Sequence, residues 1–314
     1  MQESFFILYK EHLEFSTDEL IAIVHSLDTD AQIQIISNLV IVNSKIKSDE
    51  IARKASFVRV MGQVLKRNFQ MRLKKQDIEI LDNKTFACRI INLSSETLNI
   101  PKLENEIGRK ISGLTNSKVR LENPDFTVHA IITEKEKILG ISPPKIKEKR
   151  PKKMHNHPHQ LDWKLTRAMI NLIGLKKGQT ICDPFCGTGT TLLEAELLGI
   201  NGIGIDFDKK MWQKTKENIA ANGYKSRVYN SDFEDLVKFT DQFDAIVTDL
   251  PYGRASKTSE NPEKILEKLL AITPNDKRIV VMYKKTPEND VELEGFRAYE
   301  IYRHKSLTRT IMIK

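Results

Sequence analysis

The run Ile181-Cys182-Asp183-Pro184-Phe185-Cys186-Gly187-Thr188-Gly189-Thr190 carries the strongest structural signal in the chain. Apolar residues run into an acid, a turn carries two glycines, and a threonine opens an amphipathic segment. This is a strand feeding a helix through a loop whose backbone can approach a ligand closely, while the helix start offers unpaired N–H groups. A dinucleotide loop would place a third glycine where Leu192 stands, and a phosphate-binding P-loop would need a Gly-Lys pair that is absent.

Outward from this loop, strand and helix alternate, as in a parallel sheet covered on both faces. Strands are predicted at 180–183, 202–206, 227–230, 245–249 and 278–283, with helices at 190–198, 209–221 and 262–271. Ligands of such sheets bind beyond the carboxyl ends of the strands, so the acids there are the candidates. Asp206 closes the second strand, nineteen residues after Gly187, where a carboxylate can accept from two ribose hydroxyls. Phe207 follows it; Asp232, followed by Phe233, comes after the third strand and is placed to meet an adenine amino group. Each such acid has a plainer reading as a helix N-cap, for which Asp208 is a good example. The fourth strand ends Thr248-Asp249-Leu250-Pro251-Tyr252-Gly253. Alone this would be a β-turn; after a glycine loop and two spaced acids in one sheet it is far more specific.

The first half reads as small α+β units, with a strand at 5–9, a helix at 18–26 capped by Ser16 or Thr17, strands at 31–36 and 39–43, and a helix at 48–55. Residues 143–153 hold three prolines, six basic residues and one acid, the composition of an extended basic linker. His155, His157 and His159 alternate beyond it without a fourth metal ligand, so no metal is expected. Trp163 and Trp212 fall in helical patterns and are expected in the core. Three cysteines, Cys88, Cys182 and Cys186, form no even set of bridges and read as thiols. No apolar stretch approaches the ~20 residues of a membrane span, and the expected location is the cytoplasm. A formal charge of +8 and a pI near 9.2 favour a polyanionic partner.

The Asp249-Leu250-Pro251-Tyr252 turn resembles the Asp/Asn-Pro-Pro-Tyr/Phe motif of amino-group methyltransferases, and residues 183–189 resemble their donor loop. The resemblance implies S-adenosylmethionine as methyl donor, held by Asp183, Pro184, Cys186, Gly187, Thr188, Gly189, Asp206, Phe207, Asp232 and Phe233. It implies that Asp249 and the Leu250 carbonyl accept from a base amine, and that Tyr252 stacks on the base. Leu250 departs from the commoner proline, which leaves loop stiffness open. Residues 118–141, with Val119-Arg120-Leu121-Glu122-Asn123-Pro124-Asp125 and Ile138-Leu139-Gly140-Ile141, resemble the end of a THUMP domain, an RNA-binding module of tRNA-modifying enzymes. Residues 302–309 resemble the last hairpin of the archaeal tRNA guanine-10 N2-methyltransferases, and the whole order of parts is similar to that family's.

The resemblance implies a Rossmann-like methyltransferase sheet preceded by α+β domains. These are a ferredoxin-like domain at 1–75, THUMP at 76–142, a basic linker at 143–157 and the methyltransferase domain at 158–314. It implies N2-methylation of guanosine 10 in tRNA, once or twice, with no obligatory protein partner. The alternatives are an amino-methyltransferase acting on rRNA or DNA, and an RNA-binding protein without catalysis.

Overall fold

The computed structural model describes residues 1–69, 73–144, 149–157, 161–251, 262–285, 294–304 and 307–314. Tyr252, Gly253 and His159 lie outside them, as do residues 145–148 of the basic stretch. The first half runs β1 (Gln2–Leu8), α1 (Leu13–Leu27), β2 (Gln32–Ile36), β3 (Leu39–Ser44), α2 (Ser48–Lys54), β4 (Val58–Lys66), β5 (Thr85–Asn92), α3 (Ile100–Leu114), β6 (Lys118–Val119), β7 (Phe126–Ile132) and β8 (Lys137–Ser142). The second runs α4 (Trp163–Leu172), β9 (Thr180–Asp183), α5 (Thr190–Leu197), β10 (Asn201–Ile205), α6 (Lys209–Ala220), β11 (Arg227–Tyr229), a 3-10 segment (Phe233–Gln242), β12 (Ala245–Asp249), α7 (Pro262–Ile272), β13 (Arg278–Lys285), β14 (Arg297–His304) and β15 (Leu307–Ile313).

Contacts divide the chain into two compact units: Met1–Leu13, Leu27–Arg53 and Val58–Glu148 form one, and Glu14–Ser26, Lys54–Phe57 and Lys149–Lys314 the other. The first holds an eight-stranded sheet in the order β2-β3-β1-β4-β8-β7-β5-β6. Within it β4 pairs antiparallel with β8, Gln63 opposite Ile141, so strands from both sides of the boundary expected at residue 75 share one sheet. Glycine is required at Gly62, where a Cβ would stand 2.1 Å from the Ile141 carbonyl oxygen.

The second unit's sheet has the order β11-β10-β9-β12-β13-β15-β14, with β9 to β13 parallel and β15 antiparallel to both of its neighbours, β13 and β14. Strand order reverses between β9 and β12, the switch point at which open α/β sheets leave a crevice. One face of the sheet, with Ile181, Val247, Val280 and Ile311, packs on Phe15, Leu165 and Met169. The other, with Cys182, Ile246 and Val281, packs on Leu236, Ile265 and Leu269.

Helix α1 corrects two expectations. It begins five residues before the predicted start, so Ser16 and Thr17 are buried within it instead of capping it. Most of it also belongs to the second unit, outside the expected 158–314 domain. Its Phe15 joins that unit's core, the Tyr299 hydroxyl donates to Asp18 at 2.8 Å, and the fully buried Glu19 carboxylate accepts from Asn171 Nδ2 at 2.8 Å and Ser56 N at 2.9 Å. Burial pushes Glu19 up to about 7. No helix among the described residues is long and apolar enough to cross a membrane.

Candidate active site

Beyond the carboxyl end of β9 the chain turns sharply. Gly187 and Gly189 take φ of +53° and +81°, conformations that disfavour side chains, and Gly189 precedes the first turn of α5. The loop is fixed from several sides: Cys186 N donates to the Ile205 carbonyl at 3.0 Å, Gly189 N to the Cys186 carbonyl at 2.7 Å, and the Thr215 hydroxyl to the Gly187 carbonyl. Its outer face is open, with no atom within 4 Å of the place where a Gly187 Cβ would stand.

Asp206, just past β10, accepts from Gly187 N at 2.8 Å through one carboxylate oxygen and from Asp208 N at 2.9 Å through the other. A carboxylate with about four lone-pair sites keeps capacity for ligand hydroxyls after two such bonds. Burial raises the Asp206 pKa to about 6. Asp183 is 2 % exposed and raised by burial, and its carboxylate accepts from the Thr248 hydroxyl at 2.6 Å and from Phe185 N at 3.1 Å. Pro184 continues the turn, and the Thr188 carbonyl accepts from Asn218 Nδ2 at 2.9 Å.

Asp232 caps the 3-10 segment, accepting from Glu234 N at 3.0 Å, and Asp208 caps α6 through Lys210 N at 2.9 Å. Phe233 lies against Phe185 with ring centroids 5.0 Å apart, which ties the third strand's turn to the glycine loop, whereas Phe207 is exposed. Acids able to accept from hydroxyls, apolar rings and an open glycine turn thus stand at neighbouring strand ends.

The fourth strand ends beside the first. Ala245 and Ile246 of β12 pair with Ile181 and Cys182 of β9, and the Thr248–Asp183 bond joins the two turns. Past Asp249, Leu250 N donates to the Met282 carbonyl at 2.8 Å, and the Leu250 side chain, 1 % exposed, is buried in the apolar core. Packing thus holds the turn that proline stiffens in the commoner motif. Pro251 is the last described residue of the turn.

Three features were not legible in the sequence. Arg309 of β15, 3 % exposed, brings its guanidinium 3.8 Å from the Asp249 carboxylate. A cavity of about 560 Å³ opens beside the first turn of α5, lined by Arg150, Lys153, Trp163, Thr190 and Glu194 among others. Lys153, read as linker, donates to the Thr190 hydroxyl at 2.5 Å, and burial lowers it to about 8. Trp163, expected in the core, is half-buried instead, with the Arg150 and Arg167 guanidinium carbons 4.2 and 4.8 Å from its ring; its place at the start of α4 leaves the ring outside the helix's apolar stripe. Trp212 is likewise half-buried, its indole N–H donating to the Val228 carbonyl at 3.0 Å. Arg167 and Glu194 form a buried ion pair at 2.7 Å beneath the cavity. The His155 ring pairs with Glu217, and no metal-binding cluster occurs among the described residues.

A parallel sheet with a switch-point cleft, a glycine loop and acids at three adjacent strand ends defines the Rossmann-like S-adenosylmethionine-dependent methyltransferases of the amino-group class. Residues 150–304 match the family described as RMKL-like, methyltransferase domain, and residues 57–217, which include the glycine loop but end before β12, match one described as DNA methylase. A tRNA (guanine(10)-N2)-dimethyltransferase of Methanothermobacter thermautotrophicus is 30% identical over 333 residues, covering 99% of this chain and 98% of its own. One from Methanocaldococcus jannaschii is 29% identical over 355 residues, with 98% of each chain covered. The chain belongs to this tRNA (guanine(10)-N2)-methyltransferase family. The crystal structure of TrmN from Thermus thermophilus matches it with a TM-score of 0.58, across 100% of this chain and 99% of its own, at 17% identity, a likeness of fold alone.

Proposed function

We propose that this protein transfers a methyl group from S-adenosylmethionine to the exocyclic N2 amine of guanosine 10 in tRNA, giving mono- or dimethylguanosine. The observation that carries the reading is the adjacency of the glycine loop and the Asp249 turn, joined through Thr248 and Asp183. The first unit, whose later strands resemble THUMP, is assigned to grip the RNA, and such an activity belongs in the cytoplasm.

The bound donor supplies an electrophilic sulfonium methyl. The cations at the α5 cavity, Lys153 and Arg150, would suit its amino-acid end, and Asp206 would accept from its ribose hydroxyls. Asp232 and Phe233 would border its base. A guanine N2 amine is a poor nucleophile because its lone pair is delocalised into the ring. Acceptors on both N–H groups favour the pyramidal amine and free that pair. The Asp249 carboxylate and the Leu250 carbonyl are assigned as those acceptors, with Leu250 fixed by its bond to β13 and its buried side chain. Tyr252, by resemblance, stacks on a base turned out of its helix and aligns it. Transfer leaves one proton in excess on nitrogen, and the Asp249 carboxylate accepts it.

The test is methyl transfer from labelled donor to purified tRNA, rRNA and DNA, followed by mass spectrometry of the nucleosides. N2-methylated guanosine in tRNA is expected, and label in DNA alone would overturn the reading. Asp249→Ala should lower kcat by about 100-fold or more while tRNA affinity stays within about threefold.

A further inference from the structure

Residues 149–157 form an extended strap without helix or strand, yet two asparagines four residues apart, on one face of the α6 end, fasten it. Asn222, just past α6, accepts from Lys152 N at 2.7 Å and donates to the Lys152 carbonyl at 2.7 Å. Asn218, one turn earlier and fully buried, accepts from Met154 N at 2.8 Å and His155 N at 2.9 Å, and donates to the His155 carbonyl at 3.0 Å. It also donates to the Thr188 carbonyl of the glycine loop at 2.9 Å. A primary amide has two N–H donors and room for two bonds at its oxygen, so all four are used, every one on main chain. These partners fix which way the amide faces, since backbone N–H groups need an acceptor and carbonyls a donor. Between the two asparagine clamps, Lys153 reaches the first turn of α5 and donates to the Thr190 hydroxyl at 2.5 Å, where both residues line the cavity.

We propose that Asn218 is a positioning residue for the methyl donor: its amide joins the strap, which Asn222 also secures, to the glycine loop, so that Lys153 and the loop are held in fixed register for the donor's amino-acid end. This rests on the reading of the α5 cavity as the place of that amino-acid end. Lysine carries a long, rotamer-rich side chain, and its strap has no hydrogen-bond ladder of its own to hold it. Unfastened, side chain and strap would have to be ordered by the donor, at a cost in affinity. Loss of the Asn218 amide would also leave two backbone N–H groups and two carbonyls in search of partners. Asn222 bonds the strap and the Asn218 carbonyl, the latter at 2.7 Å, so its removal loosens the strap and leaves the Asn218 bond to the loop.

The experiment measures S-adenosylmethionine affinity by calorimetry, with kcat and donor KM on tRNA. It uses full-length wild type, Asn218→Ala, Asn222→Ala, Lys153→Met and the two doubles that pair each asparagine change with Lys153→Met. Asn218→Ala should weaken donor binding by about tenfold or more, raising donor KM while kcat at saturating donor falls by no more than about threefold. Lys153→Met should weaken it by about tenfold, and Asn222→Ala by about threefold. Each double should fall well short of the product of its singles, because a released strap has already misplaced Lys153. A role for the asparagines in fold stability alone would instead let the losses multiply. Asn222 is half-buried at the helix end, so its cycle with Lys153 decides by the same criterion should Asn218→Ala fail to fold. Losses that multiply, a deficit confined to kcat, or wild-type donor affinity in the asparagine variants beside a weak Lys153→Met would each overturn the coupling alone. Wild-type donor affinity in Lys153→Met would overturn the placement of the donor's amino-acid end, and the coupling with it.

Discussion

Asp206 is held by two backbone N–H groups and still has its pKa raised to about 6 by burial, so desolvation outweighs those bonds. In the proposed function its carboxylate form accepts from the donor's ribose hydroxyls. Donor affinity is therefore expected to be full above about pH 7 and to weaken as pH falls through 6, by up to about tenfold per pH unit. Titration calorimetry across pH 5 to 8 checks this, and Asp206→Asn should bind weakly with a flat response. His129 in the first unit gives a stability prediction. It is 6 % exposed, lies against Phe5, and burial lowers its pKa to about 4 from 6.5. The unfolded chain thus binds the proton more tightly than the folded one between those values, and the neutral ring's contribution is lost as pH drops from 6.5 toward 4. The loss reaches on the order of 3 kcal/mol, and denaturant melts of wild type against His129→Phe should show it only in wild type. At this scale the sequence marked Asp183, Asp206 and Asp249 through their place after apolar strand runs. It could not mark Arg309 or Lys153. One meets its partner across an intervening strand, and the other folds back from a segment whose composition speaks only of solvation.

At the level of elements, close approach of β10 to the glycine loop explains a residue with no chemistry of its own. A Cβ on Gly204 would stand 2.6 Å from Leu192 Cδ1 and 3.0 Å from Cys186 Sγ, so Gly204→Ala must shift the Leu192 side chain and press on Cys186 of the loop. Donor affinity is expected to fall by about tenfold or more, with stability lower by roughly 1–3 kcal/mol, measurable by calorimetry and denaturant melts. The methyltransferase strands were legible to within a residue or two because buried parallel strands are short apolar runs bounded by acids and glycines; β9 and β12 span the predicted residues. Helix α1 was misjudged because Ser16 and Thr17, good caps in isolation, are covered by tertiary packing. The pairing of β13 with β15 and of β15 with β14 is long-range information that local pattern does not carry.

For the whole molecule, a formal charge of +8 sets an expectation for substrate binding. Counterions released from tRNA phosphates should make affinity fall steeply with salt. A slope of about 3 or more in log Kd against log salt is expected from filter binding between 50 and 300 mM, whereas a flat line would place the RNA away from basic surface. The parallel sheet of the second half was readable along the chain, but the full extent of its unit was not. Residues 14–26 and 54–57 lie within the stretch read as N-terminal domain yet complete the catalytic unit, because Phe15, Glu19 and Ser56 find their partners there.

That late partnership has a consequence during synthesis. Glu14 bonds to Arg297, a separation of 283 residues, and Asp18 to Tyr299. At about 5–20 residues per second the ribosome needs roughly a quarter of a minute to a minute to deliver the second half of these pairs. Throughout that interval Phe15 and its neighbours are a sticky, incomplete surface on the nascent polypeptide, a natural place for a chaperone to bind and the step at which overproduction would drive the chain into inclusion bodies.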